Sequence, residues 1–176
     1  MLEYCFIYYI YSYFGIVFVI WYNSYGNKKI NLWQKKKVYV CFDYDRDKHY
    51  KYLMEAWNAN PNFEFLFNDK SPREIQSYNI SVIKSCLTKK IKEANYTVVL
   101  AGKDANKLHK DAEKIGYKNW QNFEVAQSVE NGNKLIVVNL PDSTDAPDEC
   151  YGHGAIWAGK YSQENIIKGL DEAAKK

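Results

Sequence analysis

The run Tyr96-Thr-Val-Val-Leu-Ala101 decides the fold. It holds four apolar residues in a row after a polar start, two of them β-branched, and a glycine follows at 102. A short continuous apolar run bounded by a turn residue reads as a strand covered on both faces. Two more runs have the same character, Lys37-Val-Tyr-Val-Cys-Phe42 and Lys134-Leu-Ile-Val-Val-Asn139. Phe63-Glu-Phe-Leu-Phe67 alternates and reads as an edge strand, and Ala155-Ile-Trp-Ala158 as a short last strand.

Helical patterns fill the intervals. Asp47 to Trp57 carries Tyr50, Leu53, Met54 and Trp57 at helical spacing, ending at Asn60-Pro61. Asn68 to Tyr78 is polar, with Pro72 fixing a loop. Asn79 caps a helix to Ala94 whose stripe is Val82, Ile83, Cys86, Leu87 and Ile91. Gly102 to Lys118 is polar. Asn119 caps a helix to Asn131, and Gly132 stops it. Pro141 to Gly154 is a turn-rich loop, and Ser162 caps a last helix with Ile166, Ile167 and Leu170 inward.

Strands alternating with helices call for a parallel sheet with helices on both faces. Five such units predict an α/β flavodoxin-like three-layer sandwich, a five-stranded parallel sheet in the order 2-1-3-4-5. Its predicted core includes Val38, Val40, Val98, Val99, Leu100, Ile136 and Val137. Right-handed crossovers place the first and third strands side by side, so a ligand crevice is expected between Asp43-Tyr-Asp-Arg46 and Ala101-Gly-Lys-Asp104.

The 176 residues are 47% hydrophobic and 26% charged, a globular composition. The net charge of +3 is too small to imply nucleic acid. Cys5, Cys41, Cys86 and Cys150 form no C-x-x-C pair and lack histidines at zinc spacing, which reads as reduced, mostly buried cytosolic thiols and no metal site.

Residues 1–27 hold a single charge, Glu3. Tyr4 to Trp21 is uncharged, near the minimum length of a spanning helix, and lysines follow at 28, 29 and 35–37. One reading is a membrane anchor (residues 1–27) with a basic linker (28–36) and a domain (37–176) held at the inner face of the cell membrane. The other is a mis-called start with translation beginning near Leu32 and the domain free in the cytoplasm. Six tyrosines between Tyr4 and Tyr22 weigh against a bilayer core. The segment also lacks the basic n-region and the cleavage site of a signal peptide.

Several chemistries are excluded. No G-x-G-x-x-G, G-K-[ST] or G-x-S-x-G occurs. Asp43, Asp45 and Asp47 resemble the acidic residues of response-regulator receivers, but Leu100-Ala101-Gly102 stands where the phosphoacceptor would be. A solvated loop with Asp47 as a helix cap is the plainer reading. His49, His109 and His153 fall on a helix, in a polar loop and between two glycines.

Asn119-Trp-Gln-Asn-Phe-Glu124 is the informative piece. Trp120 and Glu124 stand at i and i+4 on one helix face. An indole beside a carboxylate offers a wall for an aromatic ligand, an acceptor for sugar hydroxyls and a counter-charge for a ribosyl cation. A core aromatic with an unrelated surface glutamate would show the same spacing.

From about Lys35 onward the chain resembles the TIR-like proteins of the Thoeris antiphage system, a divergent branch of TIR domains. The matching pieces are VYVCFDYDRDKHYKYL, NDKSPREIQSYN with TKKIKEANYTVVLAGKDAN, GYKNWQNFEVAQSVENGNKLIVVNL, and YGHGAIWA with YSQENIIKGLDEA. The first segment has no match. The resemblance implies cleavage of the nicotinamide–ribose bond of NAD, here substrate and not cofactor. It implies an ADP-ribose-derived signal nucleotide, cyclic or conjugated, that activates an effector protein, with a phage trigger and an active homo-oligomer. The family's catalytic glutamate maps to Glu124 and its aromatic position to Trp120. The nucleotide-binding loop maps to Phe42, Asp43, Tyr44, Asp45 and Arg46, where Arg46 would pair with the pyrophosphate or with neighbouring aspartates.

Overall fold

The computed structural model describes residues 36–58, 65–67, 75 and 77–176, with the backbone alone at 58 and 65–67; residues 12–13 and 16–17 are described by their backbone pairing. The chain divides into Met1–Gln34 and Lys35–Lys176. In the first unit, Ser12–Tyr13 and Ile16–Val17 pair antiparallel. These four residues are extended rather than helical, and the rest of the expected apolar span lies outside the described residues. Among the described residues no helix is long and apolar enough to cross a membrane.

In the second unit the elements run β1 (Lys36–Cys41), α1 (Tyr44–Asn58), β2 (Phe65–Phe67), α2 (Ile80–Lys92), β3 (Tyr96–Ala101), α3 (Ala112–Ile115), α4 (Trp120–Glu130), β4 (Lys134–Asn139), a 3-10 turn (Asp148–Cys150), β5 (Ile156–Lys160) and α5 (Gln163–Lys175). The sheet has five strands in the order β2-β1-β3-β4-β5, parallel throughout. This is the predicted α/β arrangement. Val38, Val40, Val98, Val99, Leu100, Ile136 and Val137 are all buried.

Alternation along each strand splits the core into two layers. Val38, Val40, Phe42, Val98, Leu100, Ile136 and Val138 pack against Met54 of α1 and Ile166, Leu170 and Ala173 of α5. Tyr39, Cys41, Val99, Ala101 and Val137 pack against Ile91 of α2 and Val125 of α4. Helices α1 and α4 therefore cover opposite faces of the sheet. At the far edge, Val138 of β4 pairs with Gly159 while Val137 pairs with Trp157, so Ala158 is the extra residue of a bulge. Gly159 has φ +82°, a conformation that disfavours any side chain.

Caps confirm the helix starts at Asn79, Asn119 and Ser162, whose side chains accept from backbone N–H groups two to three residues on. Helix α1 is a correction. It starts at Tyr44, with Asp43 Oδ1 accepting from Asp45 N at 2.9 Å. Asp47, read as the cap, lies inside the first turn and is buried. Two residues expected inward on α2 are exposed, Val82 and Cys86. Leu53 of α1 is also exposed, because that helix turns Lys51 and Met54 inward instead. The polar stretch after β3 contains α3, a single turn closed by Gly116 in the left-handed region. Pro72, Asn60, Pro61 and Cys5 lie outside the described residues.

Candidate functional site

Helix α4 carries the two residues of greatest interest, and polar contacts fix it over the sheet. Gln121 Nε2 donates to the Leu100 carbonyl at 2.8 Å. Ser128 Oγ donates to the Glu124 carbonyl at 2.8 Å and accepts from Thr97 Oγ1 at 2.9 Å. Asn119 Nδ2 donates to the carbonyls of Ala105 and Lys107, both at 3.0 Å, tying the loop after β3 to the helix start. Asn122 Nδ2 donates to Asn106 Oδ1 at 3.0 Å and to Glu149 Oε2 at 2.6 Å, while its Oδ1 is buried with no hydrogen-bond partner. Buried amide networks of this kind fix a helix in register because every displacement leaves a polar group unpaired.

Glu124 projects from that helix toward the end of β1. It is only 2% exposed. The Cys41 thiol lies between the Gln121 carbonyl, 3.6 Å from Sγ, and the Glu124 carboxylate. Burial, and then the Glu124 charge, hold the Cys41 thiol well above its usual range. Burial, followed by Glu149 and Asp145, pushes Cys150 up to about 12. Both thiols stay protonated at neutral pH, so neither is a ready nucleophile.

Trp120 stands one helical turn before Glu124 and is half-buried. Its ring meets Phe123 edge-on at a centroid distance of 6.0 Å and His109 at 6.5 Å. Tyr117 and Ile115 complete that cluster, together with Ile75 and Ile80. The i, i+4 pair is thus a half-buried indole above a buried carboxylate, and Glu124 does not open on the surface as the crevice reading expects.

The other predicted site residues lie across the sheet. Phe42 is 4% exposed and taken up by the core layer under α1. Tyr44 is half-buried against that layer, with Lys48 Nζ 5.5 Å from its ring centre. Asp43 caps α1, Asp45 is exposed, and Arg46 forms an ion pair with Asp104 after β3. The aspartate partner for Arg46 comes from the loop after β3 rather than from its own loop. Because α1 and α4 cover opposite faces, Asp43–Arg46 and Trp120–Glu124 flank the carboxyl end of the sheet from its two sides.

One residue on the α1 side has an unusual environment. Asp47 is 5% exposed and packs on Gly102, where any Cβ would overlap its carboxylate. Burial raises its pKa to about 7, helped by Asp43, Asp142 and Asp104 and opposed by Arg46. Among the described residues no group of His, Cys, Asp and Glu is arranged to hold a metal ion. Burial and the neighbouring aspartates make the charged form of Asp47 a stability liability at neutral pH. Its folded pKa lies above the unfolded 3.8, so the folded state binds the extra proton and stability falls as pH rises from about 4 to about 7. Asp47→Asn is expected to melt above the wild type at pH 8, by about 2–4 kcal/mol of stability, with the gap closing toward pH 4. Thermal melts at both pH values check this; a gap independent of pH would contradict it.

A groove of about 750 Å³ lies elsewhere, between α2 and α4, lined by Lys84, Thr88, Lys92, Tyr117, Phe123 and Gln127 among others. Sequence reading missed Gln121, Asn122, Glu149 and the His109 ring. The one signal for them was the density of amide side chains in NWQN, unusual for a helix that must be covered.

The crystal structure of a prokaryotic SEFIR domain aligns over 80% of this chain and 90% of its own, at 15% identity and a TM-score of 0.43. No curated protein matches the chain. The family model described as Thoeris protein ThsB, TIR-like domain, matches residues 39–145. That stretch spans more than half of the chain, from β1 through α4 to the loop beyond β4, and includes Trp120 and Glu124. The chain belongs to the TIR-like domain family of the Thoeris protein ThsB.

Proposed function

We propose that the protein serves antiphage defence by cleaving the nicotinamide–ribose bond of NAD, with Glu124 as the catalytic carboxylate. The product is an ADP-ribose-derived signal nucleotide, cyclic or conjugated, for a partner effector. The observation that carries this reading is a carboxylate only 2% exposed, one helical turn below a half-buried indole, inside the family match. Nicotinamide is already cationic in NAD and leaves as a neutral base, so no general acid is needed to expel it. Positive charge grows on the ribose as the bond breaks. A carboxylate in a dry, preorganised site stabilises that charge more strongly than one in water. Trp120 provides the flat wall for the nicotinamide ring, and Arg46 supplies a guanidinium at the sheet end for phosphate oxygens.

The depth of Glu124 adds a condition. A ribose reaches it only when the residues packed around the carboxylate shift, so turnover by the resting protein is expected to be slow until a phage-derived trigger or self-assembly opens the site. A second reading draws on the same burial: Glu124 as a structural carboxylate beside Cys41, in a catalytically silent module that recognises a partner protein.

Incubation with NAD, with and without extract from phage-infected cells, separates the two by chromatography. Nicotinamide release in the presence of extract, with a second adenine-containing product, is the expected result. No release under either condition would leave the silent module. Trp120→Ala is expected to raise KM for NAD about tenfold and lower the melting temperature by several degrees, since Trp120 also packs on Phe123 and His109. Steady-state kinetics and a thermal melt read the two effects separately.

A further inference from the structure

His109 falls in the polar loop after β3, where sequence reading gave it no role. The structure places its ring edge-on to Trp120, with centroids 6.5 Å apart and planes at 67°. Its Nδ1 accepts a hydrogen bond from the backbone N–H of Asp111 at 3.0 Å. A nitrogen that accepts carries no proton, so the ring's one N–H is on Nε2. The Asp111 carboxylate stands 4.0 Å from Nδ1 and is shared with Lys114 at 3.3 Å. The loop is anchored on both sides of the ring. His109 N donates to the Lys118 carbonyl at 2.7 Å, and Asn119 Nδ2 reaches the carbonyl of Lys107. The ring is therefore preorganised, while its side chain stays about one-third exposed. The result is a ring fixed beside Trp120 through its edge and its Nδ1, with its N–H left on Nε2.

We propose that His109 is a substrate-positioning residue of the Trp120–Glu124 site, donating from Nε2 to the carboxamide oxygen of the nicotinamide ring that lies against Trp120. The proposal rests on the reading of this site as an NAD site. A flat base on the indole puts its ring substituent at the rim, and the carboxamide is the one acceptor-bearing substituent of that ring. Such a bond orients the base so that the ribose points down the helix toward Glu124.

The test is calorimetric titration of NAD into Glu124→Gln protein, in which bound NAD is not consumed, compared with the same protein carrying His109→Phe or His109→Gln. Phenylalanine keeps the ring edge on Trp120 and removes the donor, together with the Nδ1 acceptor of the Asp111 N–H. Glutamine restores an N–H at about the reach of Nε2. His109→Phe is expected to weaken NAD binding about 3–10-fold with the melting temperature lowered by no more than a few degrees, for the lost Asp111 hydrogen bond, and His109→Gln to recover affinity to within about twofold of the parent. Pyridine adenine dinucleotide, which lacks the carboxamide, is expected to bind the parent and the protein carrying His109→Phe alike. If NAD binds but His109→Phe leaves its affinity unchanged, or weakens both dinucleotides equally, the proposal fails and the NAD reading stands. If NAD does not bind the parent protein, the proposal fails, and the NAD reading then stands or falls on nicotinamide release by the wild type in extract from phage-infected cells.

Discussion

Val99→Asp is expected to leave the chain unfolded, whereas Val82→Asp is expected to fold as the wild type does. Val99 is fully buried in the centre of β3, between strands β1 and β4 and under α2 and α4. A carboxylate there meets no cation among Tyr39, Cys41, Ile91, Ala101, Val125 and Val137, the residues that form this layer. Losing the burial of one valine costs about 1.5–3 kcal/mol. Placing an unpaired charge in such surroundings costs several more, even after the group takes up a proton. The sum approaches the whole stability of a typical domain, about 5–15 kcal/mol. Val82 is 44% exposed in the first turn of α2, just after the Asn79 cap. An aspartate there loses little buried area and gains from the helix dipole, so the change stays within about 0.5 kcal/mol. Circular dichroism and thermal melts of the two variants read both outcomes. A folded Val99→Asp protein would contradict the buried parallel sheet.

The contrast between those valines shows what the sequence can and cannot resolve. Strands of a doubly covered sheet are apolar on both faces, so YTVVLA and KLIVVN were legible without knowing their neighbours. The strand order followed from chirality and from the alternation of element types. Helix α5 was legible because Ile166 and Leu170 stand against exposed Glu164, Asp171 and Glu172. The apolar stripe of helix α2 was read too wide: Val82 and Cys86, four residues apart, lie on its exposed side, while Ile83, Leu87 and Ile91 are buried.

Helix α4 was hardest, for a physical reason. Gln121, Asn122, Phe123, Glu124 and Val125 are all buried, so it lacks the polar outer stripe that marks a surface helix. Its polar residues are satisfied by neighbours distant in sequence: Leu100, Asn106 and Glu149. The i, i+4 spacing established that Trp120 and Glu124 share a face. It did not say whether that face meets solvent, the sheet or another helix. The expected single crevice also overlooked strand alternation. Cys41 and Phe42 are adjacent in sequence yet point to opposite layers, and they carry the two halves of the predicted site with them.

The central claim is that the buried Glu124 carboxylate does the chemistry. Glu124→Gln removes one negative charge while keeping nearly the same shape, and a glutamine amide still fills the space beside Cys41. The hydrogen bonds that seat α4 run through Gln121, Asn119, Asn122, the Ser128 hydroxyl and the Glu124 backbone carbonyl, none of which the change removes. The fold is therefore expected to survive. On the proposed reading, what disappears is the charge opposite the ribosyl cation, and losing one preorganised contact of this kind costs on the order of 10²–10³ in rate. The most direct measurement is nicotinamide release from NAD by wild type and Glu124→Gln side by side, in the presence of extract from phage-infected cells, with matched melting curves. The account predicts release by the wild type, a loss of at least about a hundredfold in the variant, and superimposable melts. Equal release by a folded Glu124→Gln protein would contradict it.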